Sequence, residues 1–323
     1  MFWLLLLACD PCDPGKIDVA GVCVPEDCGT ERFSEGAEGV FVEAGARNGD
    51  GSGERPFSDI EEALSLAGEG GTVVLGVGTW EGQITVAGQT LIGRCPALSR
   101  LMGDEDAATI EVNGTLQGVT VEGGWPGIQV AGEANLTDVM VTGSTWAGIA
   151  VEGGTLDATE VYIEGTKAEE GGAAIHVQGG TVQLADVYIA GVDTYGVRVG
   201  EGAQLDWTGG SIVGSRTFGI LAEGDSNVVV EGVVIAEVGE GGEGITPAGI
   251  FVTGGASLEG VNLRVADVGG DGVYVAEGSN VTLTDSVIRD GHMPLSEATP
   301  AGLWLATGAT GEVTDLEIAH VPG

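Results

Sequence analysis

The tetrapeptide GIQV at residues 127–130 begins a series of eight related tetrapeptides. In each copy two apolar residues flank one variable position, and the first apolar residues follow one another at intervals of 21 to 30 residues. The other copies are GIAV at 148–151, AIHV at 174–177, GVRV at 196–199, GILA at 219–222, GIFV at 249–252, GVYV at 272–275 and GLWL at 302–305. Apolar residues that alternate with a variable one predict a strand with one face in a core. A short sequence motif that recurs at similar intervals predicts a solenoid.

The variable position of each tetrapeptide is predicted to point away from the core. In a solenoid, equivalent strands of neighbouring coils pair in parallel about 4.8 Å apart, so equivalent outward residues become neighbours. The predicted outward column consists of Gln129, Ala150, His176, Arg198, Leu221, Phe251, Tyr274 and Trp304.

A second feature recurs 10 to 12 residues after the first apolar residue of each tetrapeptide. The residues there are Asp138, Glu160, Asp186, Gly209, Gly232, Asn262, Asp285 and Asp315. Asp, Asn and Gly tolerate a left-handed backbone, so this position predicts a tight turn in every coil. Glu160 is the exception to this pattern.

Two earlier apolar strands, around Ile84 and Ile110, extend the series to about ten coils. We therefore predict an all-β fold, a right-handed parallel β-helix with a short N-terminal capping helix over about residues 57–67. The sequence Ser58-Asp59-Ile60-Glu61 is typical of a capping box, with Ser58 as the N-cap. The predicted division is a signal-type segment at 1–8, a cysteine-containing linker at 9–39 and the β-helix at 40–323, with its coils over about 72–323.

The region from about residue 40 to residue 95 resembles the N-terminal cap family of right-handed β-helix proteins, a domain family of unknown function. The matching motifs are GDGSG at 49–53, Pro56-Phe57, Ile60, Ala63, GTVVL at 71–75 and Gly78-Thr79-Trp80. Trp80 stands where that family usually has tyrosine. The later coils resemble the wider pectate-lyase-like superfamily in period and pattern, and this resemblance implies fold rather than activity.

The N-terminus predicts export. Residues 2–8 form a short apolar run that ends in Leu6-Leu7-Ala8-Cys9, which resembles a bacterial lipobox with Cys9 as the lipidated residue. No Lys or Arg precedes the run, so a truncated ordinary signal peptide is the alternative. We expect a protein of the bacterial cell envelope, lipid-anchored or secreted, in an oxidising compartment where disulfides form. The remaining cysteines are Cys12, Cys23, Cys28 and Cys95.

The charge of the chain restricts its partners. The 11 Lys and Arg residues against 49 Asp and Glu residues leave a formal charge of −38, which repels phosphate backbones and acidic polymers, so a nucleic-acid partner is not expected. No cofactor motif is present, and calcium is the alternative because acidic residues point outward from one strand of the coil. Asp157 and Asp206 are the candidate calcium ligands.

Leu221, Phe251, Tyr274 and Trp304 are the candidate ligand-binding residues. They end the outward column, and long insertions at 164–173, 236–248 and 289–301 all precede a tetrapeptide strand and are predicted to form walls beside it. Exposed aromatic side chains suit sugar rings. The alternative is that the long loops cover the rings and bury them as a secondary core.

Catalytic candidates lie further up the same column, where His176, Arg198 and Glu152 combine an imidazole, a guanidinium and a carboxylate suited to acid–base chemistry. Gln178 and Glu223 share with Glu152 the position two residues beyond the column on neighbouring coils. The alternative is that these charged residues form an ordinary salt bridge without a catalytic role. Polygalacturonases of similar fold carry a paired Asp-Asp and a Gly-His-Gly motif, but this chain lacks Asp-Asp and has Asp290-Gly291-His292-Met293. Pectate lyases need clustered calcium-binding aspartates, and only Arg198 could serve as their base.

We expect a cell-surface protein without an identifiable catalytic motif, which presents one loop-walled face to a polysaccharide or a surface protein. The alternatives are a polysaccharide lyase or glycoside hydrolase of the pectate-lyase-like fold and a structural stalk or adhesin segment. A membrane is expected as a partner only through the lipid anchor.

Overall fold

The computed structural model describes residues 16–19, 22–25, 32–34, 36–167, 171–239, 245–276, 278–290 and 301–320. The segment predicted as a linker contains a small antiparallel pair, β1 (Lys16–Val19) and β2 (Val22–Pro25). Linker residues can thus form strands where valine and isoleucine alternate with other residues. The helix α1 (Ile60–Ala67) precedes the regular coils.

The remaining strands follow the chain around the coils. The first coils contain β3 (Val40–Val42), β4 (Thr72–Leu75), β5 (Gly78–Glu81), β6 (Ile84–Ile92), β7 (Ser99–Met102), β8 (Ile110–Glu122) and β9 (Ile128–Thr142). The middle coils contain β10 (Ala147–Val151), β11 (Thr155–Glu164), β12 (Ala173–Gln178), β13 (Thr181–Val192), β14 (Tyr195–Gly200), β15 (Gln204–Ser215) and β16 (Phe218–Ala222). The last coils contain β17 (Asn227–Glu231), β18 (Val234–Val238), β19 (Ala248–Val252), β20 (Ser257–Val261), β21 (Arg264–Val268), β22 (Asp271–Val275), β23 (Asn280–Thr284), β24 (Val287–Asp290), β25 (Leu303–Leu305), β26 (Thr310–Thr314) and β27 (Glu317–His320).

These strands form three parallel sheets, one on each side of the coil. The tetrapeptide strands form the first sheet, in which ten strands of the described chain pair in succession from β6 to β25. Ten stacked strands correspond to about nine turns of the chain. The second sheet consists of the segments that pair around Asp157 and Asp206, and the third of those that pair around Tyr162 and Tyr188. The prediction of a parallel β-helix with one short helix is confirmed.

The core is a set of aliphatic ladders. The first apolar residues of the tetrapeptides, such as Ile149, Ile175 and Ile220, have no exposed surface, and ladders from the other two sheets meet them. Burying one such side chain stabilises the fold by about 1.5–3 kcal/mol. The glycine that begins the tetrapeptide lies against the next side of the coil, because a Cβ at Gly219 would be 2.4 Å from Cγ2 of Ile235. Close packing therefore explains why this position is nearly always glycine.

The predicted left-handed turn is present in every coil of the series, with φ between 49° and 55° at the non-glycine positions such as Asp138 and Asn262. The expectation that Glu160 is an exception was wrong, because its φ is 55°. Asp138 and Asp186 flank Glu160 in the neighbouring coils, and parallel pairing on both sides of the turn forces the same backbone on all three. A non-glycine residue in the left-handed backbone conformation costs about 1–2 kcal/mol of folding free energy. The pairing of this coil with its neighbours offsets that cost.

The capping helix is shorter at its start than predicted. It begins at Ile60, and its N-cap is Asp59, whose side chain accepts a hydrogen bond from the backbone N–H of Glu62 at 2.9 Å. The prediction of Ser58 as the N-cap was therefore wrong by one residue. Ser and Asp are both favourable N-cap residues, so the sequence alone does not distinguish Ser58 from Asp59. The apolar face of the helix, with Ala63 and Leu64 buried, packs on β3, β4 and β6 and closes the end of the core.

Candidate functional site

The outward column of the first sheet is assembled as predicted. Parallel pairing places Gln129 beside Ala150, and each further member beside the next until Tyr274 pairs with Trp304. The intervening members follow in the order His176, Arg198, Leu221 and Phe251. This register follows from the constant tetrapeptide, because every copy must place the same two apolar residues in the core.

Five aromatic side chains form a continuous strip on this face, which we call the aromatic strip. Its successive ring-centre distances are 5.5 Å from Tyr195 to Phe218, 5.0 Å from Phe218 to Phe251, 5.1 Å from Phe251 to Tyr274 and 6.5 Å from Tyr274 to Trp304. Tyr195 and Phe218 were not among the site residues predicted from the sequence. The signal for them is an aromatic residue directly before the glycine in two successive tetrapeptides.

Exposure varies along the aromatic strip. Phe218 and the outward Leu221 are buried, with 6 % and 5 % of their surface exposed, and Ala248 lies against them. Phe251 and Tyr274 are half-buried, whereas Trp304 is 48 % exposed. Leu221 therefore packs beneath the rings instead of offering surface to a ligand. Phe218, Leu221 and Ala248 thus form a small secondary core at one end of the strip, whereas Trp304 at the other end is open. Whether the long loops cover the rings stays a prediction, because parts of these loops lie outside the described residues.

A groove of about 280 Å³ lies beside the aromatic strip. Phe218, Phe251 and Tyr274 line it together with Ile245 and the carboxylate residue Asp271. Asp271 is only 8 % exposed, and its Oδ1 accepts a hydrogen bond from the backbone N–H of Ala301 at 2.8 Å. The groove thus combines aromatic faces with a buried acidic group. The insertions predicted to form its walls precede β12, β19 and β25, and parts of all three lie outside the described residues.

A second aromatic group lies toward the N-terminal end of the same face. The ring centre of Trp125 is 5.2 Å from that of Trp146, and Trp146 is 4.9 Å from the imidazole of His176. Trp125 is 49 % exposed. Neither tryptophan was among the predicted site residues, although each precedes the first apolar residue of its tetrapeptide, Ile128 or Ile149, by three residues.

The polar candidates meet in a pocket of about 390 Å³ on the other edge of the first sheet, which we call the polar pocket. Arg198 donates from Nε to Oε1 of Glu223 at 2.7 Å and from Nη1 to the carbonyl of Gly171 at 2.9 Å. Gln178 donates from Nε2 to Oε1 of Glu201 at 2.5 Å. His176, Thr253 and the glycines Gly200, Gly224 and Gly254 complete the lining.

Glu152 does not line the polar pocket and is exposed. Two carboxylates that lie later in the chain, Glu223 and Glu201, line it instead, and Glu223 forms the ion pair with Arg198. His176 and Arg198 are neighbours in the pairing of β12 with β14, as the column predicted. The structure thus brings together an imidazole, a guanidinium and two carboxylates. The ion pair between Arg198 and Glu223 corresponds to the non-catalytic alternative, a salt bridge.

His176 is 7 % exposed, and its Nδ1 has no hydrogen-bond partner among the described residues. Burial lowers the pKa of this imidazole, and the positive charge of Arg198 lowers it further, against the opposing effects of Glu223, Gln178 and Glu201. The imidazole is therefore neutral near pH 7, because the ordinary histidine pKa is already about 6.5.

The candidate calcium ligands Asp157 and Asp206 do not share a site. Both lie in the second sheet, and Gln183 pairs between them, so their strands are two coils apart, about 9.6 Å at the usual strand spacing. A calcium ion needs six to eight oxygens at about 2.3–2.6 Å, and two carboxylates supply at most four of them. Within the described residues, no three His, Cys, Asp or Glu side chains lie close enough to hold a metal ion.

The cysteine predictions remain predictions. Cys9, Cys12 and Cys28 lie outside the described residues, and the side chain of Cys23 in β2 is also outside them. Cys95 is half-buried in the turn between β6 and β7. Among the described residues, no helix is long and apolar enough to cross a membrane.

Comparison with known proteins supports the fold and no narrower classification. No family model and no curated protein matches the chain. Among solved structures, the pectate lyase Pel9A is similar over 84 % of this chain and 82 % of its own, with a TM-score of 0.61 and 14 % identity. An alginate lyase from Paenibacillus sp. str. FPU-7 is similar over 81 % and 94 %, with a TM-score of 0.51 and 17 % identity. The catalytic domain of a GH87 alpha-1,3-glucanase in complex with nigerose is similar over 90 % and 67 %, with a TM-score of 0.51 and 13 % identity.

Proposed function

We propose that this chain is a polysaccharide-binding protein of the bacterial cell envelope, and that its ligand lies along the outward face of the first sheet. The observation that carries the proposal is the aromatic strip, in which five rings follow one another at 5.0 to 6.5 Å with the groove of about 280 Å³ beside them. Sugar rings have apolar faces that stack on aromatic side chains, and a row of such side chains can hold several sugar units at once.

The comparisons support a sugar ligand only through the fold. The similar structures include two polysaccharide lyases and a glucanase domain with nigerose bound. At 13 to 17 % identity their activities cannot be transferred to this chain. Export through a lipidated Cys9, with disulfides among the other cysteines, belongs to the same proposal and rests on the N-terminal sequence.

The test is polysaccharide binding by the full chain, compared with a Tyr274→Ala/Trp304→Ala variant. A panel of neutral, acidic and amino polysaccharides on an array would identify a ligand, and titration calorimetry would give its affinity. The loss of two stacking rings should weaken binding by about tenfold or more, which corresponds to about 1.4 kcal/mol or more.

A matched control is available on the third sheet. Tyr162 and Tyr188 stack with ring centres 5.4 Å apart and planes 9° from parallel, as Tyr274 and Trp304 do at 6.5 Å and 9°. A Tyr162→Ala/Tyr188→Ala variant should keep the affinity of the unaltered protein. Equal loss in both variants, or no binding to any polysaccharide of the panel, would contradict the proposal.

A lyase or hydrolase activity is the second candidate, and the polar pocket is the observation that favours it. Its carboxylates Glu201 and Glu223, with the neutral His176, are groups that can exchange protons with a bound sugar. Incubation with the ligand found in the array, followed by analysis of chain length, would separate a binding protein from an enzyme. Shorter products that disappear in a Glu223→Gln variant would establish the second candidate.

A further inference from the structure

The proposed binding face has two chemically different edges. The aromatic strip begins with Tyr195 and Phe218, which precede the glycine of their tetrapeptides, and so it borders the start of the parallel strands. Gln178, Glu201 and Glu223 follow their tetrapeptides, and so the polar pocket borders the ends of the same strands. A chain bound over the outward column would therefore have rings on one flank and hydrogen-bonding groups on the other.

The polar pocket offers hydrogen-bond acceptors and no spare positive charge. Among the described residues, Arg198 is the only Arg or Lys side chain that lines it, and both its ion pair with Glu223 and its bond to the carbonyl of Gly171 are already formed. Glu201 adds a second carboxylate to the lining. An acidic sugar would bring its carboxylate against these two, without a free guanidinium or ammonium group in the lining to pair with it.

The net charge of the whole molecule also disfavours an acidic ligand, at longer range. The formal charge is −38, and the groove beside the aromatic strip contains another carboxylate, that of Asp271. A polyanionic chain would be repelled before contact, and salt would reduce that repulsion without supplying a pairing group. Sugar hydroxyl groups need acceptors and donors of the kind that Gln178, Glu201 and Glu223 supply, and they carry no charge to desolvate.

We infer that the ligand is an uncharged polysaccharide, and that Gln178, Glu201 and Glu223 bind the hydroxyl groups of the sugar unit that enters the polar pocket. The inference rests on the proposed function, since it specifies the ligand of the same face. It assigns the aromatic strip to the apolar faces of the sugar rings and the polar pocket to their hydroxyl edges.

The experiment compares a neutral glucan, a uronic-acid polymer and a polymer of amino sugars on the full chain by calorimetry. The glucan should bind, and its dissociation constant should change less than about twofold between about 50 and about 500 mM NaCl, because no ion pair is formed. A Glu201→Ala variant should bind the glucan about tenfold more weakly, whereas Glu201→Gln should stay within about threefold, since the amide oxygen also accepts a hydroxyl proton.

The matched control is the Glu231→Ala variant, which replaces an exposed glutamate in β17 of the second sheet. This substitution should not change the affinity. Binding of the uronic-acid polymer that the Tyr274→Ala/Trp304→Ala variant abolishes would leave the proposed function intact and overturn this inference. Preference for the amino polymer, with affinity lost at high salt and equally in Glu201→Ala and Glu201→Gln, would also overturn it. Failure of all three polymers to bind would instead count against the proposed function itself.

Discussion

His176 illustrates how an outward residue of a β-helix acquires unusual properties from its neighbours. Its position in the tetrapeptide directs the side chain away from the core, yet Trp146 packs against the ring at a tilt of 40° and only 7 % of the residue remains exposed. Arg198 in the next coil adds a positive charge beside it. Both effects disfavour the imidazolium form, so a surface position of the strand pattern contains a buried, neutral base.

This environment predicts a specific pH dependence for a His176→Gln variant. The pKa of His176 is lowered in the folded protein, so the unfolded chain binds the proton more readily. The stability tied to the neutral imidazole is therefore fully present above the unfolded pKa of about 6.5 and is lost as the pH falls below it. Urea unfolding of both proteins at about pH 8 and about pH 5 should show the unaltered protein losing stability relative to the variant. Parallel pH profiles would contradict the prediction.

At the scale of the element, the helix α1 protects the end of the solenoid. A stack of strands leaves an unpaired edge and open core at its first coil, and such edges invite association with other strands. Ile60, Ala63 and Leu64 cover that core. The helix is only eight residues long, too short to be stable by itself, so its N-cap and its packing on the first strands must hold it in place.

The N-cap can be tested with a pair of adjacent substitutions. Asp59→Ala removes the acceptor for the N–H of Glu62 and should lower the free energy of unfolding by about 1 kcal/mol. Ser58→Ala removes the neighbouring cap candidate and should have little effect, because the Asp59 side chain makes the capping bond. Urea midpoints of the two variants measure the difference. A larger loss in Ser58→Ala would show that the helix begins one residue earlier in solution.

At the scale of the whole molecule, the stacking of coils with similar sequences brings like charges close together. Stacking places like residues side by side, as with Asp138, Glu160 and Asp186 in the left-handed column. Burial and the charge of Glu160 raise the pKa of the Asp138 carboxyl. The formal charge of −38 over 323 residues extends this repulsion to the entire surface. The aliphatic ladders must therefore stabilise a fold that its own charge opposes.

Salt should stabilise this protein by screening. Thermal unfolding should shift upward by several degrees as NaCl increases to about 200 mM and change little above that, because the Debye length is already near 7–8 Å there. Calorimetric scans along a salt series provide the measurement. A midpoint that rises in proportion to salt up to molar concentrations would indicate a general salting-out effect instead, and a constant midpoint would contradict the role of charge repulsion.

Several features of the site could not be predicted from the sequence because they depend on side-chain contacts between stacked coils. Tyr195 and Phe218 begin their strands, and Trp125 and Trp146 precede theirs. Simple alternation does not tell which side of the chain residues at such positions face. Ring contacts between neighbouring coils reveal their place, with Trp125 against Trp146 and Tyr195 against Phe218. For the carboxylate partner of Arg198 the sequence offered Glu152 and Glu223 at equivalent positions, and the structure shows that Glu223 is the one that reaches the guanidinium.

The sequence by itself determined the solenoid, its register and its left-handed column, because one apolar pattern repeated in every coil leaves a single way to bury all the ladders. Tertiary structure alone decided which outward residues are buried, which carboxylates meet Arg198 and which rings form one strip. Those outcomes depend on side-chain contacts between coils that are adjacent in space but separated by more than twenty residues along the chain. Local patterns do not encode such contacts, since they arise only once the coils are stacked.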